Sequence, residues 1–245
     1  MKRPVVLIVG GSRGIGAATA RMAARAGYDV AVSFKSDGNA AAAVVNEAIA
    51  AGGRAVAIKA NAVTESEIER MFDDAAAALG AIGHVVHSAG IVGKNARLDR
   101  ASAETIREVI DVNLFGGLLC ARAAARRMSR ASGGEGGAIV LLSSVAAVTG
   151  APNEYVCYAA AKAGIEAATR GLARELAKEG VRVNCLRPGT TDTDIHEPGR
   201  LARVTPLLPM GRPGQPDEIA AGILFLLSPA ASYVNGAVLS VSGGI

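Results

Sequence analysis

Five consecutive apolar residues, Val5–Val9, run straight into Gly10-Gly11-Ser12-Arg13-Gly14-Ile15-Gly16, and a helical pattern follows over 15–26. A short apolar run closed by glycine reads as a strand buried on both faces, the kind found in parallel sheets. A glycine loop between such a strand and a helix opens a βαβ unit and leaves unpaired helix N–H groups facing outward, where a phosphate binds. Gly10 allows the tight turn, Gly14 lets backbone approach a ligand, and Gly16 lets helix and strand pack closely. The spacing is G-x-x-x-G-x-G rather than G-x-G-x-x-G. The same residues also fit G-x-S-x-G, a nucleophile elbow with Ser12 as nucleophile and His196 as its base. In hydrolases of that type several strands precede the elbow, and here only one does.

The alternation continues. Strands are predicted over 30–34, 55–58, 85–87, 139–143, 181–186 and 238–241, and helices over 39–51, 64–79, 103–110, 114–130, 158–178 and 218–227. Thr64 with Glu67 three residues on forms a capping signal. The fold class is therefore α/β, a Rossmann-type doubly wound parallel sheet with helices on both faces, in a single domain over 1–245. Residues 190–216 carry five of the nine prolines and read as irregular, with a substrate lid over 190–212.

Composition fits this scheme. The chain has 245 residues, 50% of them hydrophobic and 20% charged, which excludes disorder. Only 3% are aromatic, and glycine numbers 30, so the core rests on aliphatic and small side chains. No apolar run reaches membrane-spanning length, and Met1-Lys2-Arg3 before 5–9 imitates a signal peptide too briefly to be one. Cys120, Cys157 and Cys185 read as small buried hydrophobes. The charge of +4 is dispersed; Arg122, Arg126, Arg127 and Arg130 recur at helical spacing as a solvated face, not a nucleic-acid patch. His84 and His87 lie three apart on a strand and point to opposite faces, so no metal site is expected.

Two features point to chemistry. The second strand ends at Phe34-Lys35 with no acid before Asp37; Lys35 and Arg13 together favour a 2′-phosphate, hence NADP(H) in preference to NAD(H). Tyr158 and Lys162 stand four apart on one helix face. An ordinary Tyr has a pKa of about 10, and a nearby ammonium brings it toward acid–base use. Tyr155 has Ala159 at that spacing and reads as a decoy.

With Ser143-Ser144 closing the preceding strand, these motifs resemble the short-chain dehydrogenase/reductase family, in its compact single-domain subgroup, over essentially the whole chain. Gly10, Gly14 and Gly16 match its cofactor loop, Ala89-Gly90 the end of its Asn-Asn-Ala-Gly motif, and Arg187-Pro188-Gly189 with Thr193 its Pro-Gly segment. The resemblance implies that Ser144 polarises a substrate carbonyl, Tyr158 is the acid or base, Lys162 lowers the Tyr pKa and holds the nicotinamide ribose, and Asn113 anchors a proton-relay water. The cofactor contacts it implies, with those read from the loop, are Gly10, Ser12, Arg13, Gly14, Ile15, Gly16, Lys35, Asn61, Ala62, Ala89, Gly90, Tyr158, Lys162, Pro188, Gly189, Thr191 and Thr193. The chain departs from the family pattern at His87-Ser88, at Asn61 where an Asp is usual, at Ser242, and in a Ser144-to-Tyr158 gap one residue longer than usual.

The expected activity is NADP-dependent interconversion of a small-molecule carbonyl and alcohol in a cytoplasmic homotetramer or homodimer, with 3-oxoacyl reductases and sugar or polyol dehydrogenases as the nearest-looking relatives. A dinucleotide-binding regulator without turnover is the alternative from another class.

Overall fold

A computed structural model describes residues 3–245; Met1 and Lys2, which begin the signal-like start, lie outside the described residues. Seven strands form one sheet in the order β3-β2-β1-β4-β5-β6-β7. They are β1 (Val5–Val9), β2 (Asp29–Phe34), β3 (Ala55–Lys59), β4 (Ile82–His87), β5 (Gly137–Leu142), β6 (Val181–Pro188) and β7 (Val238–Val241). All six pairings are parallel. Every residue of β1 is buried, as its unbroken apolar run requires.

Helices cover both faces. On one lie α1 (Gly14–Arg25), α2 (Gly38–Ala50) and α9 (Pro216–Leu227); on the other lie α3 (Glu65–Leu79), α5 (Gly116–Met128) and α7 (Val156–Leu176). Small side chains make these layers thin. Ala17, Ala20, Ala23 and Ala24 of α1 are buried in the first core, and a Cβ on Gly222 of α9 would stand 2.8 Å from Leu186 of β6. Phe72 of α3 is the one fully buried Phe of the opposite core. No helix among the described residues is long and apolar enough to cross a membrane.

Several local expectations need correction. Thr64 holds the N-cap position of α3 without a side-chain cap bond; Glu67 instead accepts from the backbone N–H of Asn61 at 2.9 Å. Helix α9 begins at Pro216, which suits a first helical position because its missing N–H has no partner there, and Gln215 with Glu218 supplies a capping box. The mid-chain helices are continuous: α4 (Ala103–Ile110) passes through a π-helical turn, Asp111–Phe115, into α5. Two short helices were not foreseen, α6 (Ala146–Thr149) after β5 and α8 (Arg200–Val204) inside the proline-rich segment. Cys157 is half-buried, unlike the other two cysteines.

The arginines of α5 are not merely solvated. Arg122 bonds Glu65, and Arg127 bonds Glu69 at 2.6 Å and Asp73 at 2.7 Å, stitching α5 to α3. Their charge is spent within the fold.

The sheet order reverses between β1 and β4, the only neighbours joined across the two halves of the winding. Ligands of open α/β sheets bind at such a switch point, beyond the carboxyl ends of the strands. The site lies there.

Candidate active site

A cleft of about 560 Å³ opens over the ends of β1, β2, β4, β5 and β6. The glycine loop forms one end. Gly10 has φ +78° and Gly14 φ +53°, left-handed conformations that favour glycine. A Cβ on Gly16 would stand 2.2 Å from the Gly10 carbonyl oxygen, and one on Gly10 2.7 Å from the Ala89 backbone. The three glycines thus let β1, α1 and the turn after β4 meet at backbone distance. Arg13, at the N-cap of α1, makes no side-chain cap bond, and the first turn holds no acid. That helix end therefore offers free N–H groups and positive dipole to an anion.

Gly10, Ser12, Arg13, Gly14 and Ile15 line the cleft, as do Lys35, Asn61, Ala62, Ala89 and Gly90. Gly16 does not line it; it packs beneath. The Asp37 carboxylate accepts from Ala40 N–H at 2.9 Å as the cap of α2, so the first acid after β2 is already engaged. The residues suit a dinucleotide: a shallow glycine floor, a free helix N-terminus, and two cations lining the cleft, Arg13 in the loop and Lys35 after β2.

At the other end stand Ser144, Tyr158 and Lys162, with Pro188, Gly189, Thr191 and Thr193 along the wall. Thr193 approaches the loop closely enough that a Cβ on Gly14 would meet it at 3.3 Å. The Thr191 hydroxyl is given to the Gly189 carbonyl at 3.0 Å. The two adjacent serines diverge. Ser143 donates to Glu166 Oε1 at 2.7 Å, whereas Ser144 lines the cleft with Tyr158 and accepts from Ala146 N–H at 3.2 Å.

Burial pushes the Tyr158 phenol above its ordinary value; the neighbouring Ser144 hydroxyl and the charge of Arg200 pull it part of the way back. Lys162 stands against the Tyr158 ring. Its ammonium donates to the Leu142 carbonyl at 2.8 Å and lies over the Tyr158 ring, 5.6 Å from the centroid. Burial brings Lys162 itself down to about 8.

Asn113 is fully buried in the π-helical turn and does not line the cleft. Its amide donates to Ile91 O at 2.7 Å and Val109 O at 2.8 Å, and its oxygen accepts from Ile91 N–H at 3.3 Å. The side chain is thus occupied in holding the turn after β4. A Cβ on Gly90 would stand 2.7 Å from Asn113 Oδ1 and 3.4 Å from Lys162 Nζ, so the two side chains converge behind Gly90. His196, the base the hydrolase reading requires, is held through Nε2 by the Thr191 carbonyl at 2.9 Å.

Comparison with known proteins gives the family. A family model described as enoyl-(acyl carrier protein) reductase matches residues 9–245. An uncharacterized oxidoreductase of Escherichia coli, YgfF, is 44% identical over 98% of this chain and 99% of its own. A 3-oxoacyl-[acyl-carrier-protein] reductase of Synechocystis is 38% identical, covering 98% and 96%, and an L-rhamnose 1-dehydrogenase (NAD(P)(+)) of Azotobacter vinelandii is also 38% identical, covering 98% and 95%. A short chain dehydrogenase of Burkholderia cenocepacia, solved in complex with NADP, superposes with a TM-score of 0.91 at 35% identity, over 98% of this chain and 97% of that one. The chain belongs to the short-chain dehydrogenase/reductase family. It is an oxidoreductase acting on CH–OH and C=O groups.

Within this short-chain dehydrogenase/reductase, two ion pairs were not read from the sequence, and the His87 departure from the family pattern finds its setting. Glu166 stands four residues beyond Lys162, on the same face of α7, and forms a two-point ion pair with Arg187 at 2.8 and 2.7 Å; the helical spacing was a usable signal. Arg200 and Glu154 meet at 2.8 Å across 46 residues, and no local pattern announces that pair. His87, in place of the family's Asn, is fully buried, and burial followed by the Lys162 charge drives it down to about 3, so it is neutral. Its Nε2 has no partner among the described residues. His84 lies edge-on to Tyr28 on the opposite face of the sheet, away from His87.

Proposed function

We propose that this chain is an NADP-dependent carbonyl reductase, taking a 3-oxoacyl compound or a similar ketone to its alcohol, or the reverse. The observation that carries this reading is that Ser144, Tyr158 and Lys162 share one cleft with the glycine loop. Bound NADPH would supply the hydride.

The protein's part follows from its own atoms. A carbonyl oxygen seated between Ser144 and Tyr158 meets two hydroxyl donors aimed at the charge that develops on reduction. The phenol, held above its ordinary value by burial, is protonated at neutral pH and so suited to deliver a proton to that oxygen. Lys162, fixed on the Leu142 carbonyl, braces the ring and presents a cation where the nicotinamide ribose of the family's cofactor would lie. Asn113 holds the Gly90 turn against Lys162 rather than entering the cleft. Arg13 and Lys35, with Asp37 engaged as a cap, support a 2′-phosphate at the adenosine end. Residues 190–212, with Thr193 against Gly14, serve as a lid over a single domain spanning 1–245. Assembly as a homotetramer or homodimer and residence in the cytoplasm belong to the same reading.

The test is a screen of carbonyls and alcohols with NADPH, NADP, NADH and NAD. The expected result is NADPH-linked reduction of at least one carbonyl, with weaker use of NADH. Tight NADPH binding without turnover across a broad panel would favour a regulator.

A further inference from the structure

A cleft that reduces a carbonyl also holds the rest of the molecule carrying it. At the substrate end, one guanidinium has partners that account for only part of its donors. Arg200 opens α8 and lines the cleft with Tyr155 and Tyr158. Its Nη2 donates to Glu154 Oε2 at 2.8 Å, and its guanidinium carbon lies 5.5 Å from the Tyr155 ring centroid. The side chain is 16% exposed, and its Nε–H is removed from solvent with no acceptor.

The acids nearby do not fully balance it. Glu154 is shared with Arg203, whose Nη2 stands 3.2 Å away. Glu197 bonds Arg203 at 3.1 Å and Asn95 at 3.2 Å rather than Arg200. One edge of the Arg200 fork is therefore pinned, its face is stacked on an aromatic ring, and a further N–H is unused. A guanidinium fixed in that way loses little freedom when it takes an anion, and its planar donors match a carboxylate.

We propose that Arg200 is a specificity-determining residue that binds a carboxylate on the substrate, so that the preferred substrates are oxo acids or hydroxy acids rather than neutral ketones. This assignment rests on the carbonyl-reductase reading for which carbon reacts, but the recognition itself can be measured without turnover. Tyr155 and Glu154 act as positioning residues, one beneath the guanidinium and one at its edge. Their backbone serves the same end: Glu154 O accepts from Ala96 N–H at 3.0 Å, joining this loop to the one after β4.

The experiment titrates the NADP-loaded protein, by calorimetry, with a matched series of short aliphatic carboxylates, amides and amines. The wild type is expected to bind the carboxylate at least tenfold more tightly than the amide of equal length. Arg200→Gln should erase that preference, Arg200→Lys should keep only part of it, and Arg203→Gln should retain it. Circular dichroism shows that each variant is folded. Equal binding of carboxylate and amide by the wild type would overturn the proposal, as would tighter binding of the amine or a preference that survives in Arg200→Gln. Absence of NADPH-linked turnover in the wild type would instead overturn the carbonyl-reductase reading, and the two failures are read from separate measurements.

Discussion

The Lys162 ammonium sits over the Tyr158 ring, 5.6 Å from its centroid, and is fastened to the Leu142 carbonyl at 2.8 Å. The lysine is thus fixed in place beside the phenol. Burial raises the Tyr158 hydroxyl most, and Ser144 and Arg200 pull it part of the way down.

Ser144→Ala removes the hydroxyl that pulls the phenol down. Its kcat for reduction should fall by about 10²-fold, the scale of one oxyanion donor. The pH at which alcohol oxidation gains its base should move upward, because the remaining dominant influence on Tyr158 is burial. Steady-state profiles of kcat/KM against pH check both.

Ser143→Ala should act differently from its neighbour. Ser143 donates to Glu166, which is also paired with Arg187. Losing a buried hydrogen bond to a charged group costs about 1.5–3 kcal/mol. Urea unfolding should show that loss as a lower midpoint with an unchanged slope, while turnover per folded molecule stays closer to wild type than in Ser144→Ala.

Glu166→Gln leaves Arg187 without its carboxylate in a half-buried setting, and breaking such a pair from one side costs on the order of 3 kcal/mol. Although burial opposes it, the bonds from Arg187 and Ser143 hold the Glu166 carboxyl below its ordinary value. Its contribution is thus full above the unfolded carboxylate range and is lost as pH falls through the lowered folded value. Glu166→Gln should lose that segment of acid sensitivity.

The buried histidines give a second acid limb. Unfolded, they protonate near 6.5; folded, burial first and then the charges of Lys162 and Arg182 respectively hold His87 to about 3 and His84 to about 4. The unfolded chain therefore binds more protons between these values and 6.5, and stability rises with pH across that window. Each group contributes at most about 1.4 kcal/mol per pH unit. His87→Asn should flatten the limb by one group's share in unfolding free energies measured from pH 4 to 7.

Much of this molecule was legible in its sequence because the fold repeats a strongly patterned unit. The apolar run of β1, the glycine loop and the strand–helix alternation carry their own periodicities, and all seven strands fall near their expected positions. The site was legible where chemistry imposes a short spacing, as between Tyr158 and Lys162 or across the loop glycines. It was not legible where partners meet only in three dimensions. Nothing near Arg200 in the chain marks Glu154 as its partner, and nothing near Asn113 shows that its amide is taken by Ile91 and Val109. Nor could spacing reveal that the Lys162 ammonium is fastened to the Leu142 carbonyl. Helix α8 was missed because five residues among prolines and glycines give too short a pattern to read.

The most direct test compares Tyr158→Phe with the wild type in NADPH-linked carbonyl reduction, alongside NADPH binding by fluorescence titration. Removing one oxygen from a buried ring should leave the cofactor affinity within about threefold and lower kcat by at least about 10²-fold, the contribution of a positioned acid. A Tyr158→Phe protein that binds NADPH and still reduces the same carbonyl at the wild-type rate would contradict the assignment of Tyr158 as the proton donor.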